Sequence, residues 1–77
     1  VIRKGTLTNR LNVLRAEKHW SQKKVASLLG ISRQTIISIE ANKYSPSLML
    51  AFQIANLFDK DINDVFQYHS EEECLND

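Results

Sequence analysis

The sequence predicts an all-α fold of five short helices, and three observations carry that prediction. The segment Ser21–Lys43, SQKKVASLLGISRQTIISIEANK, contains two short amphipathic runs joined by a glycine-containing corner. The run Leu48–Phe58 is strongly apolar with helical spacing, and it follows Pro46-Ser47, a helix-start signal. The chain has 77 residues, enough for one domain with a thin core that buries about 60–65% of the unfolded surface. One short sheet is available. Thr6-Leu7-Thr8 is β-prone, and Phe66-Gln67-Tyr68-His69 alternates like a strand, so the two can form a two-stranded ribbon.

In chain order, residues 1–8 read as an N-terminal arm or short strand, 9–66 as the helical domain, and 67–77 as a short strand with an acidic tail. The first helix is expected from about Asn9 to Lys18, with Leu11 and Leu14 inward, and Trp20 packed over the following pair of helices. Ser21 caps the second helix, whose Val25, Ala26 and Leu29 share one face. Gly30 supplies the left-handed backbone that ends it, Ile31 plugs the corner, and Ser32 caps the third helix. Asn42 is the next best residue after glycine for a left-handed exit. Pro46 forces Ser45 out of helical conformation, and Ser47 caps the fourth helix. Asp61 is the expected cap of a short fifth helix near Ile62–Val65.

The third helix is the informative one. At about 100° per residue, Thr35, Ile36 and Ile39 cluster on a core-facing side, leaving Arg33, Gln34, Ile37 and Ser38 outward. Those outward groups suit the edges of base pairs. Arginine donates two bonds to guanine, glutamine pairs bidentately with adenine, and an aliphatic group meets a thymine methyl. Charge supports the same partner. Residues 1–58 hold nine Lys/Arg and two Asp/Glu, whereas residues 59–77 hold one and seven, so the net charge of +1 conceals a basic body and an acidic tail.

At these residues the sequence resembles the lambda-repressor-like helix-turn-helix family, the xenobiotic-response-element type of bacterial and phage regulators. The shared pattern is SQxxVAxLLGISRQTIxxIExxK, then YSPSLxLAxxIA and INDVF, and it spans about Leu11 to Phe66. The segment KYSPSLMLAFQIANLF with DVFQYH is further similar to a subgroup of small dimeric repressors. The resemblance implies a DNA-binding domain in which Arg15 pairs with Glu40 and ties the first helix to the third. It implies that Gln22 meets a phosphate and that Lys43 with Tyr44 clamps the DNA backbone. Ser32, Arg33, Gln34, Ile37 and Ser38 complete the expected DNA-facing set. Three positions depart from the family pattern: His19 and Asn42, where the family has glycine, and Asp59-Lys60 in a turn.

The fourth helix is too apolar for a surface element. Leu48, Ala51, Ile54, Ala55 and Phe58 form its expected core stripe. Leu50, Phe52 and Leu57 lie partly outside that stripe, with Met49 beside them, and Leu50, Phe52 and Leu57 with Tyr68 make the expected homodimer contact. The expected partners are thus double-stranded DNA, a second copy, and a regulatory partner protein, with no cofactor. An antitoxin-like module, binding a protein first and DNA second, is the alternative. No catalytic or metal-ligating constellation is apparent. His19 and His69 are far apart, Cys74 stands alone, and Glu71–Glu73 is a charge run. No apolar run approaches the ~20 residues of a membrane span, and one cysteine allows no internal disulfide, so a cytoplasmic location is expected.

Overall fold

The computed structural model describes residues 5–70. Its elements run β1 (Gly5–Asn9), α1 (Leu11–Lys18), α2 (Gln22–Leu29), α3 (Arg33–Glu40), α4 (Leu48–Leu57), α5 (Ile62–Val65) and β2 (Phe66–Ser70). The five expected helices are present, and β1 pairs antiparallel with β2 in the register Leu7 opposite Tyr68 and Asn9 opposite Phe66. Both expected domain boundaries therefore fall within this ribbon. Arg3, Lys4, Cys74 and the acidic tail lie outside the described residues. No described helix is long and apolar enough to cross a membrane.

Helices of eight residues are marginal by themselves, so their stability comes from caps and from a shared core. Ser21, Ser32 and Ser47 each accept a hydrogen bond from the backbone N–H three residues on, at 2.9, 3.1 and 3.2 Å. Each bond satisfies a donor that the helix itself leaves open. Asp61 occupies the same position before α5 but makes no such side-chain bond, contrary to expectation. There the backbone closes the turn, with Asp64 N–H donating to the Asp61 carbonyl at 2.9 Å.

Four residues take the left-handed conformation at helix exits: His19, Gly30, Asn42 and Asp59, with φ of 58°, 73°, 59° and 56°. The three departures from the family pattern thus keep the backbone path while adding a Cβ at a strained φ. Helix α1 begins at Leu11, two residues later than expected, because Asn9 ends the strand. The Asn9 side chain then takes three roles. Its Oδ1 accepts from Leu11 N–H at 3.1 Å, and its Nδ2 donates to the Ile39 carbonyl at 2.8 Å and to Asn42 Oδ1 at 3.1 Å. One amide joins the ribbon, the start of α1 and the exit of α3.

Leu11, Val25, Ile36, Ile39, Ile54 and Val65 are fully buried and supply the centre of the core. Leu7, Trp20, Leu29 and Ile31 pack around it. The Trp20 ring centroid lies 5.6 Å from that of Phe58, and Lys18 Nζ sits over the Trp20 ring, 5.6 Å from its centroid. In α4 the inward set is Ala51, Ile54 and Ala55, followed by Phe58 at the C-cap. Leu48, expected in that stripe, is 71% exposed instead. Leu50 and Leu57, expected outside it, are partly buried against the core.

Two stability changes follow. Ile54→Ala removes a fully buried side chain from the middle of the core and should cost about 2–5 kcal/mol in urea unfolding. His19→Gly relieves an exposed left-handed residue and should stabilise by up to about 1 kcal/mol, the strain relief exceeding the extra freedom of the unfolded chain. A lower thermal midpoint for the glycine variant would show that the His19 side chain contributes to the fold.

Candidate nucleic-acid interface

The placement of α3 begins in the corner before it. Gly30 ends α2, Ile31 N–H donates back to the Ala26 carbonyl at 3.0 Å, and the Ile31 side chain packs on the core. The chain is thereby turned so that Ile36 and Ile39 enter the core while the opposite face of α3 looks outward. Arg33 and Gln34 are exposed on that face. Ile37 and Ser38 are half-buried, and Ile37 lies outside the set packed against the core.

A chain of polar contacts holds this helix at both ends. Arg15 Nε donates to Glu40 Oε2 at 2.7 Å and Nη2 donates to Oε1 at 3.3 Å, a forked contact that fixes orientation as well as distance. Arg15 Nη1 also donates to the Trp20 carbonyl at 3.0 Å, so the same guanidinium ties down the loop before α2. Gln22 Nε2 donates to Glu40 Oε1 at 3.1 Å, and Gln22 Oε1 accepts from Arg33 Nη2 at 3.5 Å. The expected pairing of Arg15 with Glu40 is present. Gln22, expected at a phosphate, is engaged with α3 through both ends of its amide. An amide nitrogen carries two N–H groups, so one remains available to an outside acceptor.

Ser32, Gln34, Ser38, Lys43 and Tyr44 come together with Thr35 around one cleft of about 330 Å³. The Ser32 hydroxyl is occupied locally, capping Thr35 N–H and lying 2.8 Å from the Thr35 hydroxyl. Lys43 and Tyr44 are exposed on the loop after α3, where Lys43 N–H donates to the Ser38 carbonyl at 2.9 Å. Asn9 and the left-handed Asn42 hold that loop from behind. The result is a polar, cation-edged surface made by one face of α3, the first turn of α2 and the 43–44 loop.

Sequence reasoning missed three contributors. Lys23 and Lys24 are exposed in the first turn of α2 beside Gln22, adding positive charge where the helix N-terminus already favours an anion. They were visible only as part of the overall basic count. Asn9 gave no signal, because its partners are 30 and 33 residues away. The residues expected at a dimer contact divide. Phe52 and Tyr68 are 54% and 63% exposed, whereas Leu50 and Leu57 lean on their own core. Among the described residues, no three His, Cys, Asp or Glu side chains gather as metal ligands would.

Comparison with known proteins agrees with this architecture. Residues 11–65 match the model of the Helix-turn-helix family HTH_3. The chain is 48% identical over 66 residues to the uncharacterised HTH-type transcriptional regulator MJ0272 of Methanocaldococcus jannaschii, covering 86% of this chain and 100% of that one. It is 38% identical over 65 residues to the HTH-type transcriptional regulator YgzD of Bacillus subtilis, covering 84% and 98% respectively. A Bacteroides fragilis crystal structure, of a protein proposed to bind DNA, superposes with a TM-score of 0.73 at 31% identity over 80% of this chain and all of that one. The transcriptional regulator VanUg reaches the same TM-score at 15% identity, covering 91% and 93%, and shows the shared fold alone. With the family pattern matched over most of its length and its helix order reproduced, the chain belongs to the lambda-repressor-like helix-turn-helix family HTH_3.

Proposed function

We propose that this protein is a sequence-specific transcriptional regulator, acting in the cytoplasm as a repressor that binds a pseudo-palindromic operator as a homodimer. The observation that carries the reading is the outward face of α3. Arg33 and Gln34 stand free of the core beside a cleft edged by Lys43 and Tyr44, while Ile36 and Ile39 anchor the opposite face. In this reading α3 enters the major groove, with Arg33, Gln34 and Ser38 at base edges and Ile37 against a thymine methyl.

The remaining groups position the helix rather than read sequence. Gln22, Lys23 and Lys24 meet phosphates at the first turn of α2, and Lys43 with Tyr44 meets them on the other side. Ser32 keeps its hydroxyl in the cap of α3, so its part at the interface is to fix the first turn of that helix. One copy touches few base pairs, so useful discrimination calls for two copies on half-sites about 34 Å apart. A regulatory protein partner, or protein abundance, would set when the operator is occupied.

Two measurements test this reading. Gln34→Ala should weaken the best site, selected from a random DNA pool, by about 1–3 kcal/mol per half-site with little loss on unrelated DNA. Equal loss on both would make Gln34 a backbone contact. Lys43→Ala should reduce the slope of log affinity against log salt by about one per monomer. An affinity that does not change between low and physiological salt would remove the nucleic-acid reading.

A further inference from the structure

We infer that the cleft between the ribbon and the loop after α3 is an effector site for a small planar aromatic anion, whose binding opposes that of DNA. Its effect on DNA rests on the regulator reading above; its binding does not. The cleft holds about 770 Å³ and runs between all of β1 and residues 42–46. Small-molecule sites are of this size, mostly apolar, with a few placed polar groups. Leu7, Ile39, Pro46 and Phe66 supply the apolar lining.

Two half-exposed aromatic side chains border it, Tyr68 from the ribbon and Tyr44 from the loop, at 63% and 48%. The Tyr68 ring lies directly against Gly5, where any Cβ would collide with it. The glycine therefore gives the ring its place across the ribbon, and an aromatic surface is set before any ligand arrives. Rings of this kind take a planar aromatic guest edge-on or offset-stacked. Among the described residues that line the cleft, Lys43 alone is charged, so the complementary guest carries one negative charge. Asn9 and Asn42, both on the lining, hydrogen-bond to each other at 3.1 Å and tie the two walls together. A slot tied across in this way favours a compact molecule over a chain laid along β1.

Lys43 and Tyr44 also border the cleft that carries Ser32, Gln34 and Ser38 on the face of α3. The same two residues thus serve both clefts. An anion that engages Lys43 from the ribbon side withdraws its charge from a DNA phosphate. The coupling is reciprocal, so DNA must weaken the anion by the factor by which the anion weakens DNA.

The test uses 2-naphthoate and its neutral isostere 2-naphthamide, titrated without DNA and followed by nitrogen–proton correlation spectra. Naphthoate should shift the amides of β1 and of residues 42–45 saturably, with a Kd on the order of 0.1–1 mM for a fragment of this size. Naphthamide should bind about tenfold more weakly, for want of a charge-assisted bond. Lys43→Met should bring naphthoate down to the naphthamide level and leave naphthamide unchanged. Tyr68→Ala should weaken both probes about fivefold or more, and Gly5→Ala should do the same by displacing the ring. Tyr68 is exposed, so its variant decides the matter even if Gly5→Ala does not fold. Leu48→Glu, at an exposed apolar position outside this lining, should change neither probe.

Equal affinity for the two probes overturns the site, as do shifts confined to α4 or lost in Leu48→Glu. A cleft that ignores both probes and takes only an extended peptide overturns it as well. Saturating naphthoate should lower affinity for DNA severalfold, and naphthamide should do so less. Naphthoate bound in the cleft with DNA affinity unchanged would overturn the effector role. A protein that holds naphthoate but binds no DNA even without it would leave the site standing and remove the regulator.

Discussion

The contact between Arg15 and Glu40 is the constraint on which the outward face of α3 depends. The two side chains are 20% and 10% exposed, so the pair is neither fully hydrated nor deeply buried. Its net contribution to stability is modest, since some desolvation offsets the attraction. Its contribution to geometry is larger. Glu40 ends α3 and accepts from Arg15 on α1 and Gln22 on α2, so one carboxylate sets the angle among three helices. Gln22 then reaches Arg33 at the other end of α3. The outward face of this helix is therefore fixed by groups behind it rather than by any property of that face. A lysine at 15 would keep the charge but lose the fork that also holds the Trp20 carbonyl.

The same economy of contacts appears at the helix exits. Helices of eight residues cannot hold themselves, and each must end sharply to return the chain to a small core. Glycine does this without strain at position 30 only. At Asn42 the strain has a return, because the side chain held in that conformation accepts from Asn9 and steadies the loop beside Lys43. At His19 and Asp59 the left-handed backbone turns the chain out of α1 and α4, with the His19 and Asp59 N–H groups donating to the Ala16 and Asn56 carbonyls.

Much of this was legible in the sequence because it rests on local rules. Caps at Ser21, Ser32 and Ser47, the corner at Gly30 and the burial of Ile36 and Ile39 depend on residues within a turn or two of one another. The ribbon was legible as two β-prone segments, although its full width of Gly5–Asn9 against Phe66–Ser70 was not. The alignment of Arg15 with Glu40 came from family resemblance, as no local rule links residues 25 apart. Much of what escaped was of one kind. Asn9 as a three-way clamp and the internal engagement of Gln22 both depend on which side chains the finished fold brings together.

The fourth helix shows the same limit at the level of packing. Its spacing identifies Leu48 as a member of the stripe that contains Ala51 and Ile54, and by angle it is one. A stripe is buried only as far as the opposing body extends, however. At Leu48 that body gives way to the groove between Pro46 and the ribbon, and the side chain projects past its edge. Leu50 and Leu57 deviate the other way, reaching back to the core from positions the angle places outside it. Helical periodicity thus reports that a face is apolar without reporting what covers it. In a chain with so thin a core, the boundary between covered and exposed apolar surface lies within a single helix.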